Sequence, residues 1–270
     1  MEQLRHASVR SLGVLHGRSA LVTGAASGIG KGIATLFARQ GANVLAVDTN
    51  EQGLVELAQN DHAIIPLCQD ISTTACPAVL VAAAEQAFGG LDILANNAGI
   101  GGAYGPLEDC TDENWDRVFA VNVHPAFRIT RAMVPLLKRS SCGRIIFTGS
   151  ICGNYAIQNL GAYAASKHAI QGVMRAWALE LGIYGITSNA LVPGNTVTGA
   201  TKDLYPDPTT QAGASFLAQS NVLGRYSFPD DVAAAALYLA SDAASYVTGH
   251  SLVIDGGMTV KMPSLPAAPK

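Results

Sequence analysis

Charge is scarce in this sequence. Of 270 residues, 14% are Asp, Glu, Lys or Arg, against about 25% in an average soluble domain. The 17 basic residues do not outnumber the 20 acidic ones, and the net charge is −3. Nucleic-acid binders meet phosphate with a basic excess, so no nucleic-acid partner is expected. Long apolar runs are missing too. A mean hydropathy of +0.25 raises the question of a membrane span, but a spanning helix needs about 18 consecutive apolar residues. Each apolar stretch here is short and broken by Gly, Ser, Asn or charge, so no membrane partner is expected. The apolar piece at 12–15 is too short for a signal peptide core, and the chain reads as cytoplasmic. Cysteine pairs are absent as a pattern. Cys68, Cys76, Cys110, Cys142 and Cys152 are odd in number and form no CxxC, which fits reduced thiols in the cytoplasm. The six histidines are scattered, with no HxxxH or HExxH, so no metal site is expected. No GxSxG elbow is present, which argues against a hydrolase.

What the sequence has in quantity is glycine, 28 residues or about 10% against roughly 7% on average, and apolar segments in a regular order. Candidate strands lie at 20–23, 43–47, 63–67, 91–95, 144–148, 186–191 and 252–254. Most are apolar throughout and do not alternate, as in strands covered on both faces of a parallel sheet. Helical patterns lie between them at 29–39, 75–88, 112–137, 161–181 and 230–240. The last opens on Asp230 and Asp231, where negative charge suits a helix N-terminus. This alternation predicts an α/β doubly wound parallel sheet of about seven strands, Rossmann-like, in one domain. Residues 1–16 read as a frayed N-terminal arm, 17–259 as the domain, and 260–270, with Pro263, Pro266 and Pro269, as a non-helical tail. A Pro-, Gly- and Thr-rich stretch at 195–221 reads as a long loop with a short helix, a candidate substrate loop.

After the first strand comes Gly24-Ala-Ala-Ser27-Gly28-Ile29-Gly30, then a helix. A strand, a Gly-rich turn and a helix N-terminus make an anion site: the backbone comes close, and free amides and the helix dipole favour a pyrophosphate. The spacing is GxxxGxG, and alone such a turn is equally compatible with no ligand. The second strand ends at Asp48, 24 positions beyond Gly24. A carboxylate there can accept hydrogen bonds from a ribose 2′-hydroxyl and would repel a 2′-phosphate. Thr49, Asn50 and Ser27 add no positive charge, which favours NAD over NADP.

The motifs Thr23-Gly-x-x-x-Gly-Ile-Gly30, Asn96-Asn-Ala-Gly99, Asn122, Ser150, Tyr163-x-x-x-Lys167 and Pro193-Gly194 occur in that order. Each is weak alone; the ordered set, spanning about 17–258, resembles the short-chain dehydrogenase/reductase family, and 254–257 is similar to that family's last strand and turn. The resemblance implies that Gly24, Gly28 and Gly30 hold the pyrophosphate with Ile29 packed beside them, and that Asp48 binds the adenosine ribose. It implies that Asp70 and Ile71 contact the adenine, that Asn97, Ala98 and Gly99 line the nucleotide, and that Thr196 and Thr198, after Pro193 and Gly194, hold the carboxamide. Asn195-Thr196 stands where many members carry a bulky apolar pair, which implies a more polar pocket.

Tyr163 and Lys167, four apart, share a helix face. A free tyrosine titrates near 10; a nearby ammonium and an oxidised nicotinamide are expected to lower it, so that Tyr163 exchanges a proton with the substrate. The resemblance implies that Lys167 also holds the nicotinamide ribose, that Ser150 orients the substrate oxygen, and that Asn122 bends its helix and holds a water linking Lys167 to solvent. The expected activity is NAD-dependent hydride transfer on a secondary alcohol or ketone. The substrate pocket is expected from 101–105, 151–159 and 195–221, with Tyr104, Cys152, Asn154, Tyr155, Asn195, Tyr205, Phe216 and Leu217 as candidates. His168 lies off the Tyr–Lys face and reads as structural. The alternative is a non-catalytic NAD-binding sensor or scaffold, which predicts a damaged Tyr–Lys–Ser set, and the set is whole. The helices at 112–137 and 161–181 look apolar over more than one face. The resemblance implies that they pair in a homo-oligomer, a dimer or a tetramer.

Overall fold

A computed structural model describes residues 13–261. Seven parallel strands form one sheet in the order β3-β2-β1-β4-β5-β6-β7. The strands are β1 (Ser19–Thr23), β2 (Asn43–Asp48), β3 (Ile64–Cys68), β4 (Ile93–Asn96), β5 (Arg144–Thr148), β6 (Thr187–Pro193) and β7 (Ser251–Ile254). The order reverses between β1 and β4, which opens a crevice at their C-terminal ends, where ligands bind in such sheets.

The apolar runs follow from burial on both faces. Ala20 and Val22 of β1, Ile93 and Ala95 of β4 and Ile146 of β5 join one core with Ile33, Phe37, Val232 and Leu239. Their neighbours Leu21, Leu94, Ile145 and Phe147 join a second core with Leu80, Ile129, Met133 and Met174. Successive side chains point to opposite faces, and helices cover both. Helices α1 (Gly28–Arg39) and α8 (Pro229–Ala240) cover one face; α3 (Cys76–Phe88), α5 (His124–Leu137) and α6 (Gly161–Leu181) cover the other. The exceptions are the two edge strands, β3 and β7. Ile65 and Pro66 of β3 and Val253 of β7 are exposed, and a proline that cannot donate to a ladder is tolerated at an edge.

Three readings are corrected. The pattern at 112–137 is two helices, α4 (Asp112–Asn122) and α5, broken at Val123. Pro125 has no N–H for the carbonyl four residues earlier, and its ring crowds that turn. A helix not read from the sequence, α2 (Glu51–Asn60), follows β2; the Asn50 side chain caps it by accepting from the Gly53 amide at 3.1 Å. The arm is not frayed where it meets the domain. Leu15 is fully buried, its amide donates to the Gln40 carbonyl at 3.0 Å, and the Gly17 amide donates to Gly41 at 3.0 Å. Residues 1–12 and 262–270 lie outside the described residues. The stretch at 195–221 contains a helical turn at Lys202–Leu204 and α7 (Gln211–Ser220).

Candidate active site

A cleft of about 830 Å³ runs along the C-terminal ends of the strands, across the β1/β4 reversal. Gly24, Ser27, Gly28, Ile29, Asp48, Asp70, Ile71, Asn97, Ala98, Gly99, Ser150, Tyr163, Lys167, Pro193, Gly194, Thr196 and Thr198 all line it. Gly30 and Asn122 stand behind its wall.

At one end the β1–α1 turn and Asp48 are built together. The Asp48 carboxylate accepts from the Ala26 amide at 3.0 Å and from the Asn50 amide at 3.0 Å, which fixes it against the turn and leaves lone pairs facing the cleft. No Lys or Arg stands beside it: the cations among the lining residues are Arg117 and Lys167. Ser27 caps α1 with an extended backbone and makes no side-chain cap bond. The first amides of α1 have no intrahelical acceptor, so they are available to an anion. Gly24 has φ +67° and lies so close to Ala98 that a side chain would clash. Gly30 has a packing role of its own. A side chain there would run into the Gly24 carbonyl and the Asn97 amide, so its bareness lets α1 sit on the turn.

Thr23 and Asn97 tie β1 to β4 beneath the cleft. Thr23 Oγ1 accepts from the amides of Asn97 at 3.0 Å and Ala98 at 3.1 Å, and Asn97 Nδ2 donates to the Thr23 carbonyl at 3.0 Å. Thr148 completes the tie, donating from its hydroxyl to Asn97 Oδ1 at 3.0 Å. Sequence reasoning missed Thr148; its signal is its place at the strand end, two residues before Ser150.

At the other end, Ser150 leaves β5 and faces α6, which carries Tyr163 and Lys167. Lys167 is 4% exposed and its Nζ donates to the Thr148 carbonyl at 2.8 Å. Burial pushes its ammonium down to about 8. Nζ lies 5.5 Å from the centroid of the Tyr163 ring. The chain's own groups do not supply the lowering expected of Tyr163, which also counts on an oxidised nicotinamide. Burial pushes the phenol up to about 12, opposed by a hydrogen bond with Ser150. An enclosed phenolate loses its hydration, and the lysine that would compensate is itself discouraged from holding its charge. Beside them the buried Cys152 thiol is raised by desolvation.

Asn122 ends α4 and spends its amide on the wall. Oδ1 accepts from the Ile100 amide at 2.8 Å; Nδ2 donates to the Ile100 carbonyl at 3.0 Å and to Ser166 Oγ at 3.0 Å. This holds the segment after β4 against α6, one residue from Lys167. Thr196 is buried, and the Thr201 hydroxyl closes the turn that carries it, donating to the Thr196 carbonyl at 2.7 Å and accepting from the Thr198 amide at 2.9 Å.

Of the expected pocket residues, Cys152, Asn195 and Tyr205 line the cleft, whereas Tyr104, Asn154 and Tyr155 are exposed to solvent. Phe216 and Leu217 pack behind the wall; Phe216 touches Tyr205 and Tyr226. The wall also uses Ile157, Leu160 and Leu204, which carry no signal beyond being apolar. His168 is exposed and bonds only its own helix at Ala164. No cluster of three metal-ligating side chains occurs among the described residues, and no helix there is long and apolar enough to cross a membrane.

The family model described as enoyl-(acyl carrier protein) reductase matches residues 24–259. The 3-oxoacyl-(acyl-carrier-protein) reductase of Thermotoga maritima is 36% identical over 250 residues, covering 91% of this chain and 99% of that protein. The D-threitol dehydrogenase of Mycolicibacterium smegmatis is 36% identical over 251 residues, covering 92% and 95%. Among solved structures, 3-ketoacyl-(acyl-carrier-protein) reductase from Brucella melitensis, complexed with NADH, superposes with a TM-score of 0.83 at 35% identity, covering 91% of this chain and 99% of that one. The ordered motifs, the seven-stranded sheet and these likenesses agree: this chain belongs to the short-chain dehydrogenase/reductase family of oxidoreductases.

Proposed function

We propose that the chain is an NAD-dependent dehydrogenase/reductase that moves a hydride between NAD(H) and a secondary alcohol or ketone. The observation that carries this reading is one cleft with Asp48 at one end and Ser150, Tyr163 and Lys167 at the other. The residues fit a nicotinamide dinucleotide. Free amides at the start of α1 suit the pyrophosphate, and Gly28 and Ile29 stand beside them. Asp48 suits two ribose hydroxyls and opposes a 2′-phosphate. Asp70 and Ile71 would meet the adenine, Asn97, Ala98 and Gly99 would line the middle, and Pro193, Gly194, Thr196 and Thr198 would frame the carboxamide. The NADH held by the Brucella relative supports NAD as the partner.

Bound there, the nicotinamide supplies the hydride chemistry. In oxidation the Tyr163 oxygen, as phenolate, takes the proton of the substrate hydroxyl while the carbon loses hydride; in reduction the phenol returns that proton to the carbonyl oxygen. Lys167, when protonated, lowers the energy of the phenolate through its charge. Ser150 hydrogen-bonds the substrate oxygen and fixes it against Tyr163. Asn122 is a positioning residue: it holds Ile100 and Ser166, and through them the wall against which Lys167 rests.

Five free cysteines suit the reducing cytoplasm as the compartment. Leu179 on α6 is 83% exposed and Ile183 just beyond it 81%, which suits pairing of copies in a dimer or tetramer. The test is a panel of secondary alcohols and ketones offered with NAD(H) and with NADP(H), followed by nicotinamide absorbance. Turnover with NAD(H) is expected. Tight NADH binding without turnover of any compound overturns the reading.

A further inference from the structure

The substrate end of the cleft carries more polar groups than one oxygen atom can use. Ser150 and Tyr163 serve the reacting oxygen. Tyr205, Asn195 and Cys152 line the same cleft, and the Tyr205 hydroxyl makes no hydrogen bond among the described residues, whereas that of its stacking partner Tyr226 does.

Tyr205 is held in a stack of rings. Its ring stacks on Tyr226 at a centroid distance of 5.2 Å and 27°, with Phe216 tilted against both at 6.4 and 6.3 Å. Tyr226 is 5% exposed and spends its own hydroxyl on the Pro206 carbonyl at 2.8 Å, next to Tyr205 in the chain. The following residue, Ser227, pairs as a short bridge with Thr196; its amide donates to Asn195 at 3.0 Å and its carbonyl accepts from Val197 at 2.8 Å. Arg225, on the other side of Tyr226, is fixed by a bidentate pair with Asp231 at 2.7 and 2.8 Å. So Tyr205 is braced against the segment proposed to frame the nicotinamide, and its ring is part of the wall.

We infer that Tyr205 is a specificity-determining residue that grips a second oxygen of the substrate, so that diols, hydroxy-ketones and diones are preferred over simple alcohols and ketones. This rests on the dehydrogenase reading above. A purely apolar substrate would cover the Tyr205 hydroxyl and the Asn195 amide without pairing them. Sites built to hydrogen-bond a substrate hydroxyl reject analogues lacking it for that reason. The reacting oxygen stays with Tyr163 and Ser150; the second one docks on Tyr205, and Leu204 and Ile157 cover the carbon skeleton.

The test uses matched pairs with NAD(H): 2,3-butanediol against 2-butanol, 1,2-cyclohexanediol against cyclohexanol, and 2,3-butanedione against 2-butanone. The wild-type protein is expected to favour the dioxygenated member of at least one pair by tenfold or more in kcat/KM. Tyr205→Phe keeps the ring and its stack, so folding is preserved. It is expected to lower kcat/KM for the dioxygenated member by about 2- to 13-fold, mostly through KM, as for one lost neutral hydrogen bond, and to leave the other member unchanged. Equal loss on both members, no loss on either, or wild-type preference for the mono-oxygenated member in every pair overturns the inference while leaving the dehydrogenase reading standing. Absence of hydride transfer with every compound overturns the dehydrogenase reading, and the role of Tyr205 with it.

Discussion

Lys167 Nζ donates to the main-chain carbonyl of Thr148 at 2.8 Å. The lysine is therefore anchored to the end of β5, two residues before Ser150, and its position is set by the sheet as well as by its own helix. The same Thr148 holds Asn97 through its hydroxyl, so the segment after β4 and the Lys167 ammonium share one support.

This anchorage has a thermodynamic cost that can be measured. Lys167 is buried and its ammonium is pushed down to about 8 from an ordinary value of 10.5. A lysine whose folded value lies below its unfolded one weakens the fold most below the folded value, and the penalty shrinks as pH rises through about 8 toward 10.5. Lys167→Met is expected to be the more stable protein at pH 7, by at most about 3 kcal/mol less the cost of leaving the Thr148 carbonyl unpaired. The difference should narrow by pH 10. Urea unfolding of both proteins at pH 7 and pH 10 checks the sign; a gap that widens with pH would contradict it. Activity should be lost at every pH.

Tyr163→Phe removes the proton carrier and leaves the ring. Turnover is expected to fall by at least about 10²- to 10⁴-fold, the range of a lost general acid or base. NADH affinity, measured by fluorescence titration, should stay within about threefold. Full activity in this variant would sink the mechanism.

Because Tyr163 is pushed up to about 12, the free protein holds it as phenol across the accessible range. Alcohol oxidation needs the phenolate, so kcat/KM for oxidation should rise steadily with pH from 6 to 9, whereas ketone reduction should be flat or falling. Steady-state profiles in both directions check this; an oxidation rate that falls between pH 6 and 9 contradicts it.

Asp48→Ala removes a carboxylate that accepts from Ala26 and Asn50. Loss of charge-assisted hydrogen bonds to the ribose is worth about 1.5–3 kcal/mol, so kcat/KM with NAD should drop by roughly 10- to 150-fold. The value with NADP should rise or hold. A wild-type protein that already prefers NADP would overturn the assignment of Asp48.

Gly30→Ala tests packing separately from ligand contact. A methyl there meets the Gly24 carbonyl and Asn97, and overpacking of this kind costs about 1–3 kcal/mol. The midpoint of thermal unfolding should fall even in the absence of any nucleotide. A variant of unchanged stability that has lost only NADH affinity would make Gly30 a ligand contact and not a packing one.

The fold was legible because its strands are apolar on both faces and its turns are punctuated by glycine. Strand β5 and helix α6 lie where the residue pattern places them, end to end. What escaped has local causes. Helix α2 buries little beyond Leu54 and Leu57, so its periodicity is faint. The break at Val123 depends on one proline inside a run that otherwise favours a helix. In the site, the residues with distinctive chemistry were legible: Asp48, Ser150, Tyr163 and Lys167 come together in one cleft. The pocket wall was not. Tyr104, Tyr155 and Tyr205 look alike in a sequence, and only the path of the chain turns one of them inward and leaves the other two in solvent.

The short bridge between Thr196 and Ser227 joins two segments that would otherwise order independently. A ligand that stiffens 195–198 also removes freedom from 225–227, and so from the stack under Tyr205. The loss of conformational entropy is then shared, and whichever molecule binds first leaves less of it for the second. If the cofactor is the molecule that stiffens 195–198, positive coupling between cofactor and substrate is expected without any change of shape. It must be equal in both directions, since binding free energies around a closed cycle are reciprocal.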